Sequence, residues 1–167
     1  RLSSSMGAAN NLEVINNGPT AGSKVIINGA VSVLGTVNVA TQNGNINLSG
    51  NIATTNTSAG AITLTAGTGT LAPTTTGGDI VLTGTRTLTT GAGGSAYLFS
   101  GSSSASTGLA ALATAARTFY NVDPTHMPSS GVTTGIYALF RQNTLPLTLT
   151  LANTTMVYGD AYPTVPT

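Results

Sequence analysis

Five short segments of the chain repeat one pattern: SKVIING (23–29), GNINLSG (44–50), GAITLTA (60–66), GDIVLTG (78–84) and GSAYLFS (94–100). Aligned, they give one apolar column of Val25, Ile46, Ile62, Ile80 and Ala96, and a second of Ile27, Leu48, Leu64, Leu82 and Leu98. The two columns lie two residues apart, so in a strand they point to the same face. Between them runs a mixed column of Ile26, Asn47, Thr63, Val81 and Tyr97, which faces the other way. Small residues close both ends: Ser23, Gly44, Gly60, Gly78 and Gly94 before the apolar pair, and Gly29, Gly50, Ala66, Gly84 and Ser100 after it. Glycine suits such places because it tolerates positive φ and lets another backbone come close.

The copies are 21, 16, 18 and 16 residues apart. That is too short for a helix-pair repeat or a propeller blade. It fits one turn of a right-handed parallel β-helix, or β-solenoid, in which equivalent positions stack on one another. In that register Ile62 stacks between Ile46 and Ile80, and Leu64 between Leu48 and Leu82. The expected core ladder is Val25, Ile27, Ile46, Leu48, Ile62, Leu64, Ile80, Leu82 and Leu98, with turn glycines at Gly29, Gly44, Gly50, Gly60, Gly78, Gly84 and Gly94. Weaker strands follow at 30–40 and 51–55, and residues 10–16 match in part as a preceding turn. An antiparallel β-sandwich also uses alternating strands and Asn-Gly turns, as at Asn17-Gly18, Asn28-Gly29 and Asn43-Gly44. A sandwich, however, does not need the same motif in register at each return.

Charged residues make up 5% of the chain and hydrophobic ones 40%. The first figure is far below the usual quarter; the second is too high for a charge-driven disordered chain. Lys24, Arg86, Arg117 and Arg141 stand far apart, so no basic run offers a nucleic-acid footprint. There is no cysteine. No apolar run is long enough to span a membrane. The first ten residues hold no apolar core of a secretory signal, and both ends break mid-pattern, so the chain is expected to be a piece of something longer.

Past the repeat the pattern changes. Residues 102–108 read as a flexible connection. Leu109, Leu112, Ala113, Ala116 and Tyr120 then recur near helical spacing, residues 121–131 carry two prolines and read as loop, and 133–142 and 145–152 are strand-prone. The expected division is coils over 1–101, a cap or transition segment over 102–146, and the start of a truncated further domain or a linker strand from 147 to 167. Leu109, Leu112, Phe119 and Phe140 are the side chains available to cover the last coil at 97–99.

The last segment, LTLANTTMVYGDAYPTVPT, resembles the start of the bacterial immunoglobulin-like repeats called MBG domains. The likeness rests on an alternating strand followed by Tyr158, Gly159, Asp160 and Pro163, and covers about 20 residues. Such domains follow β-helical regions in large exoproteins similar to filamentous haemagglutinin, exported by two-partner secretion. The order of coils, a transition ending in YALFR, and an MBG start is similar to the C-terminal end of such a β-helix. The NPNGI-type segment of that family's secretion domain is absent here. The resemblance therefore implies a stalk segment, secreted to the cell surface of a Gram-negative bacterium, as part of an adhesin or biofilm-matrix protein.

Candidate chemistry is sparse. Glu13, Asp79, Asp123 and Asp160 are far apart, whereas a glycan-cleaving groove gathers its carboxylates. Asp79, Lys24 and Arg86 are expected to face outward. His126 is the one histidine; with Asp123 it could be half of a metal or acid–base pair, but both fall in a proline-rich loop and are expected to be solvated. With no cysteine and no Asp-rich repeat, neither zinc nor calcium has a ligand set. GAGGSA (91–96) matches a dinucleotide motif formally but opens no helix. The expectation is a non-catalytic rod with no metal or cofactor. Its partners would be other segments of the same chain, identical chains through the coil ends, or host and matrix glycans, with no nucleic acid and no membrane span. Two alternatives stay open: a carbohydrate-binding or carbohydrate-cleaving β-helix, which a cluster of aromatics on one face would favour, and a self-assembling filament subunit.

Overall fold

The structure, a computed structural model, describes residues 10–20, 22–113, 117–128 and 132–143. In chain order the elements are β1 (Leu12–Asn16), β2 (Val25–Ile27), β3 (Val31–Val33), β4 (Val37–Thr41), β5 (Ile46–Leu48), β6 (Ile52–Thr54), β7 (Ile62–Ala66), β8 (Ile80–Leu82), β9 (Leu88–Thr89), β10 (Ser95–Ser100), the single-turn helix α1 (Leu109–Leu112), β11 (Thr118–Tyr120) and β12 (Gly135–Phe140). The fold is all-β, and the strands pair in parallel in three sheets. The main sheet runs β1-β4-β7-β10-β12-β11, the second β2-β5-β8 and the third β3-β6-β9. The chain visits main, second and third sheets in that order three times, then returns to the main sheet at β10.

Strands β2 to β6 and β8 bury alternate residues, and all three sheets contribute to one core. Val25, Ile27, Ile46, Leu48, Ile62, Leu64, Ile80, Leu82 and Leu98 are all buried in it. They do not form one ladder, which corrects the stacking expected from the motif. Val25, Ile46 and Ile80 stack in the second sheet, as do Ile27, Leu48 and Leu82. Ile62 stacks instead between Val37 and Ala96, and Leu64 between Val39 and Leu98, in the main sheet. The physical reason is that both sheets turn one face to the same core and need the same alternation. A 16-residue step therefore moves from one sheet to another. The true circuit in the main sheet pairs Leu12 with Val37 and Val37 with Ile62, then lengthens to join Ile62 to Ala96 and Ala96 to Ile136.

Corners stack where backbones nearly touch. A β-carbon on Gly44 would overlap the Ser23 carbonyl oxygen, and one on Gly78 would overlap that of Gly44. Gly44 is thus required by close approach, while Gly78 also holds a φ of 134°. Asparagines just before the strands satisfy the corner N–H groups of the next circuit. Asn11 Oδ1 accepts from Thr36 N at 2.9 Å, Asn45 Oδ1 from Asp79 N at 2.9 Å, and Asn51 Oδ1 from Thr87 N at 3.1 Å.

Beyond β10 the order of strands departs from the order of the chain. β11 lies one strand further out, and β12 fills the gap between it and β10. The helical spacing expected through Tyr120 stops at Leu112. Ala113 is already extended, and Tyr120 belongs to β11, stacked on Phe140 at 5.5 Å between ring centroids. An isolated single helical turn has little stability of its own, and pairing with β12 takes Thr118–Tyr120; Ala116 lies outside the described residues. Leu109, Ala138 and Phe140 join the core, so it continues past residue 101. The strand expected over 145–152 and the Tyr158, Gly159, Asp160 and Pro163 signature lie outside the described residues.

Candidate functional site

At the β12 end, two side chains, those of Arg141 and Asp123, tie down the irregular stretch between β7 and β8. Arg141 follows β12 directly and is wholly buried. Its guanidinium donates to the carbonyls of Ala66, Thr74, Thr76 and Gly78, at 3.3 Å for Thr74, 3.0 Å for Thr76 and 2.9 Å for Gly78. Burial lowers its pKa, and the charges of Asp79 and Asp123 oppose that shift. The planar fork suits this task because its five donors can serve several carbonyls at once.

Asp123 corrects a second expectation. Its side chain is 0% exposed, whereas that of His126 is 71% exposed. The carboxylate accepts from Ala72 N at 2.9 Å, Thr125 N at 2.8 Å, Thr125 Oγ1 at 2.6 Å and His126 N at 3.0 Å. His126 Nδ1 lies 3.2 Å away. Burial alone would raise the Asp123 pKa. The hydrogen bonds from Thr125, Ala72 and His126 outweigh it and hold the carboxyl well below the usual carboxylate range. The pair is therefore a clamp between the 121–128 turn and the 71–74 loop, with only the imidazole in solvent.

Asp79 does not project freely either. Its Oδ1 accepts from Ser102 N at 2.7 Å and lies 3.4 Å from the hydroxyls of Ser100 and Ser106. Arg86 is half-buried, with Nε donating to Thr83 O at 2.7 Å. Asp79 and Asp123, both expected at the surface, thus share one end of the molecule with Arg141. Among the described residues, no three His, Cys, Asp or Glu side chains gather into a metal-ligand set. None of the described helices is long and apolar enough to cross a membrane. Ala72, Pro73, Asn121, His126 and Asn143 line an open cleft of about 360 Å³ beside the clamp.

The opposite end differs. Among the described residues, β1, β2 and β3 are each the outermost strand of their sheets, so three strand edges face the same way. The edges do not match those at the far end, where the main sheet runs on through β12 and β11 while the second and third stop at β8 and β9.

The outer face of the main sheet holds the third feature. Register places Glu13, Asn38, Thr63, Tyr97 and Tyr137 in one row, one per strand. Tyr97 and Tyr137 meet edge to face at 6.1 Å, Phe119 lies 6.2 Å from Tyr137, and the Arg117 guanidinium sits 5.9 Å from the Tyr137 ring centroid. The gathering of these aromatics on one face could not be read from a uniform repeat, because the intervals that bring them together are unequal. The chain matches no protein-family model, no curated protein and no solved structure.

Proposed function

We propose that this chain is a non-catalytic rod segment whose three sheets close into a right-handed parallel β-helix, part of a secreted adhesin or biofilm-matrix protein at the surface of a Gram-negative bacterium. The observation that carries the reading is the set of three parallel ladders sharing one core, with β1, β2 and β3 as the outermost strands among the described residues at one end and an elaborated other end. Low charge and the MBG-like tail support the secreted, surface-bound setting. In this reading each circuit presents its edge to the next, and load is borne by inter-strand hydrogen bonds along the stack. The unlike ends argue against a head-to-tail filament, because the main sheet runs on through β10, β12 and β11 beyond the edges at β8 and β9, so the far end does not lie level as β1, β2 and β3 do.

Sedimentation over a concentration series, with hydrogen exchange read at β1, β2 and β3, tests the rod reading. It expects concentration-dependent association and faster exchange at these three strands than at β4, β5 and β6. A strict monomer with β1, β2 and β3 as protected as their neighbours would refute an exposed stacking end.

A further inference from the structure

We infer that the outer row of the main sheet is a binding platform for a linear, neutral, β-linked glycan lying along the stacking direction. The row is Glu13, Asn38, Thr63 and Tyr97. Successive members sit about 4.8 Å apart, so the row spans roughly 14 Å. The sugar rings of an extended β-linked glycan recur at close to that interval, so successive rings can meet successive strands. Glu13 is exposed and the other three are half-buried, each with part of its side chain open to solvent.

The chemistry along the row is graded as a sugar chain requires. Tyr97 supplies a π-face for the C–H face of one ring, and its orientation is fixed by the edge contact with Tyr137. Gly60 stands beside it. A β-carbon there would lie 3.3 Å from the Tyr97 ring and 3.2 Å from Thr63 Oγ1, so glycine leaves that corner of the platform uncovered. Thr63 Oγ1 donates to Gly60 O at 3.3 Å, which leaves its lone pairs facing outward for a hydroxyl donor. Asn38 Nδ2 donates to Glu13 Oε1 at 3.3 Å, which orients the amide oxygen and the second carboxylate oxygen as further acceptors. An amide, a hydroxyl and a carboxylate pair with sugar hydroxyls. An acidic glycan would meet Glu13, which favours a neutral one. Strand register holds the four positions in line before any ligand arrives, which lowers the ordering cost of binding.

Isothermal titration of the whole chain with cellohexaose, xylohexaose and chitohexaose tests this, with Tyr97→Ala and Thr63→Arg as variants. Thr63→Arg covers the row without entering the core, so it decides the matter if Tyr97→Ala fails to fold. The expected result is saturable binding of at least one hexasaccharide, weakened about tenfold or more in each folded variant, which is 1.4 kcal/mol or more. No saturable heat with any of the three, or equal affinity in Thr63→Arg, overturns the inference. So does a wild-type signal that sedimentation traces to pairing of two copies through this face.

Discussion

Replacing Arg141 by Met keeps most of the side-chain volume and removes the charge and every donor. Four carbonyls then lose a partner: those of Ala66, Thr74, Thr76 and Gly78. Thr74 and Thr76 are exposed residues, and water can take over there. Ala66 is fully buried, whereas Gly78 O keeps the Gly101 N–H at 3.1 Å, so one acceptor stays dry. At about 1–3 kcal/mol per unsatisfied buried group, the loss is about 1–3 kcal/mol. Relief of the guanidinium's own desolvation offsets part of it. The whole domain is expected to hold only about 5–15 kcal/mol, so even this loss is appreciable. It should lower the urea midpoint by about 0.5–1.5 M. Hydrogen exchange should rise first over residues 67–78, the stretch the guanidinium holds. Arg141→Lys should recover less than half of the loss, since a single ammonium cannot reach four carbonyls set around a planar fork. Wild-type protection at 67–78 in the Met variant would refute the idea that this residue ties the insertion to β12.

Ile62→Ala should cost about 2–5 kcal/mol in urea unfolding, and Ile62→Asp should leave no cooperative transition, because its neighbours Val37 and Ala96 offer no partner for a charge. Asp123→Ala should destabilise by about 1–3 kcal/mol, since the Ala72 and Thr125 N–H groups lose their acceptor, while His126→Ala should shift the midpoint little. The Asp123 carboxyl is held low in the folded state, so its contribution is fully present above the unfolded carboxylate value of about 3.9 and fades as pH falls below it; the urea midpoint should drop there, and by less in Asp123→Asn. Gly44→Ala should destabilise strongly because the added carbon overlaps Ser23 O, and Gly22→Ala, with nothing within 4 Å, should melt near wild type.

The alternation of Val25 with Ile27, or Ile62 with Leu64, was legible because a half-buried strand shows its face every second residue. Which sheet each copy joins was not legible. The pattern around Ile62 is the same as that around Ile80, although one lies in the main sheet and the other in the second. The insertion between β7 and β8 makes the circuits unequal, and that hid the pairing of Thr63 with Tyr97. The Arg141 staple was equally hidden. Its partners are backbone carbonyls up to 75 residues away, and a carbonyl carries no residue identity. Asp123 read as solvated because Pro124 and Pro128 mark a loop, yet Ala72 N reaches it from another loop 51 residues earlier. Sequence pattern records which residues face a core. It does not record which side chain holds a distant turn.

The parallel register itself can be tested directly, since the chain has no cysteine to interfere. One double variant carries Asn38→Cys with Thr63→Cys, which are neighbours across β4 and β7. The other carries Asn47→Cys with Thr63→Cys, neighbours only if all five motif copies stack in a single ladder. Adjacent parallel strands bring paired Cα atoms to about 4.8 Å, within the roughly 4.4–6.8 Å that a disulfide spans. Mild oxidation followed by peptide mass analysis should show the 38–63 bridge forming readily, with no 47–63 bridge. The reverse outcome would place β7 in the second sheet and contradict the three-sheet circuit on which the account rests.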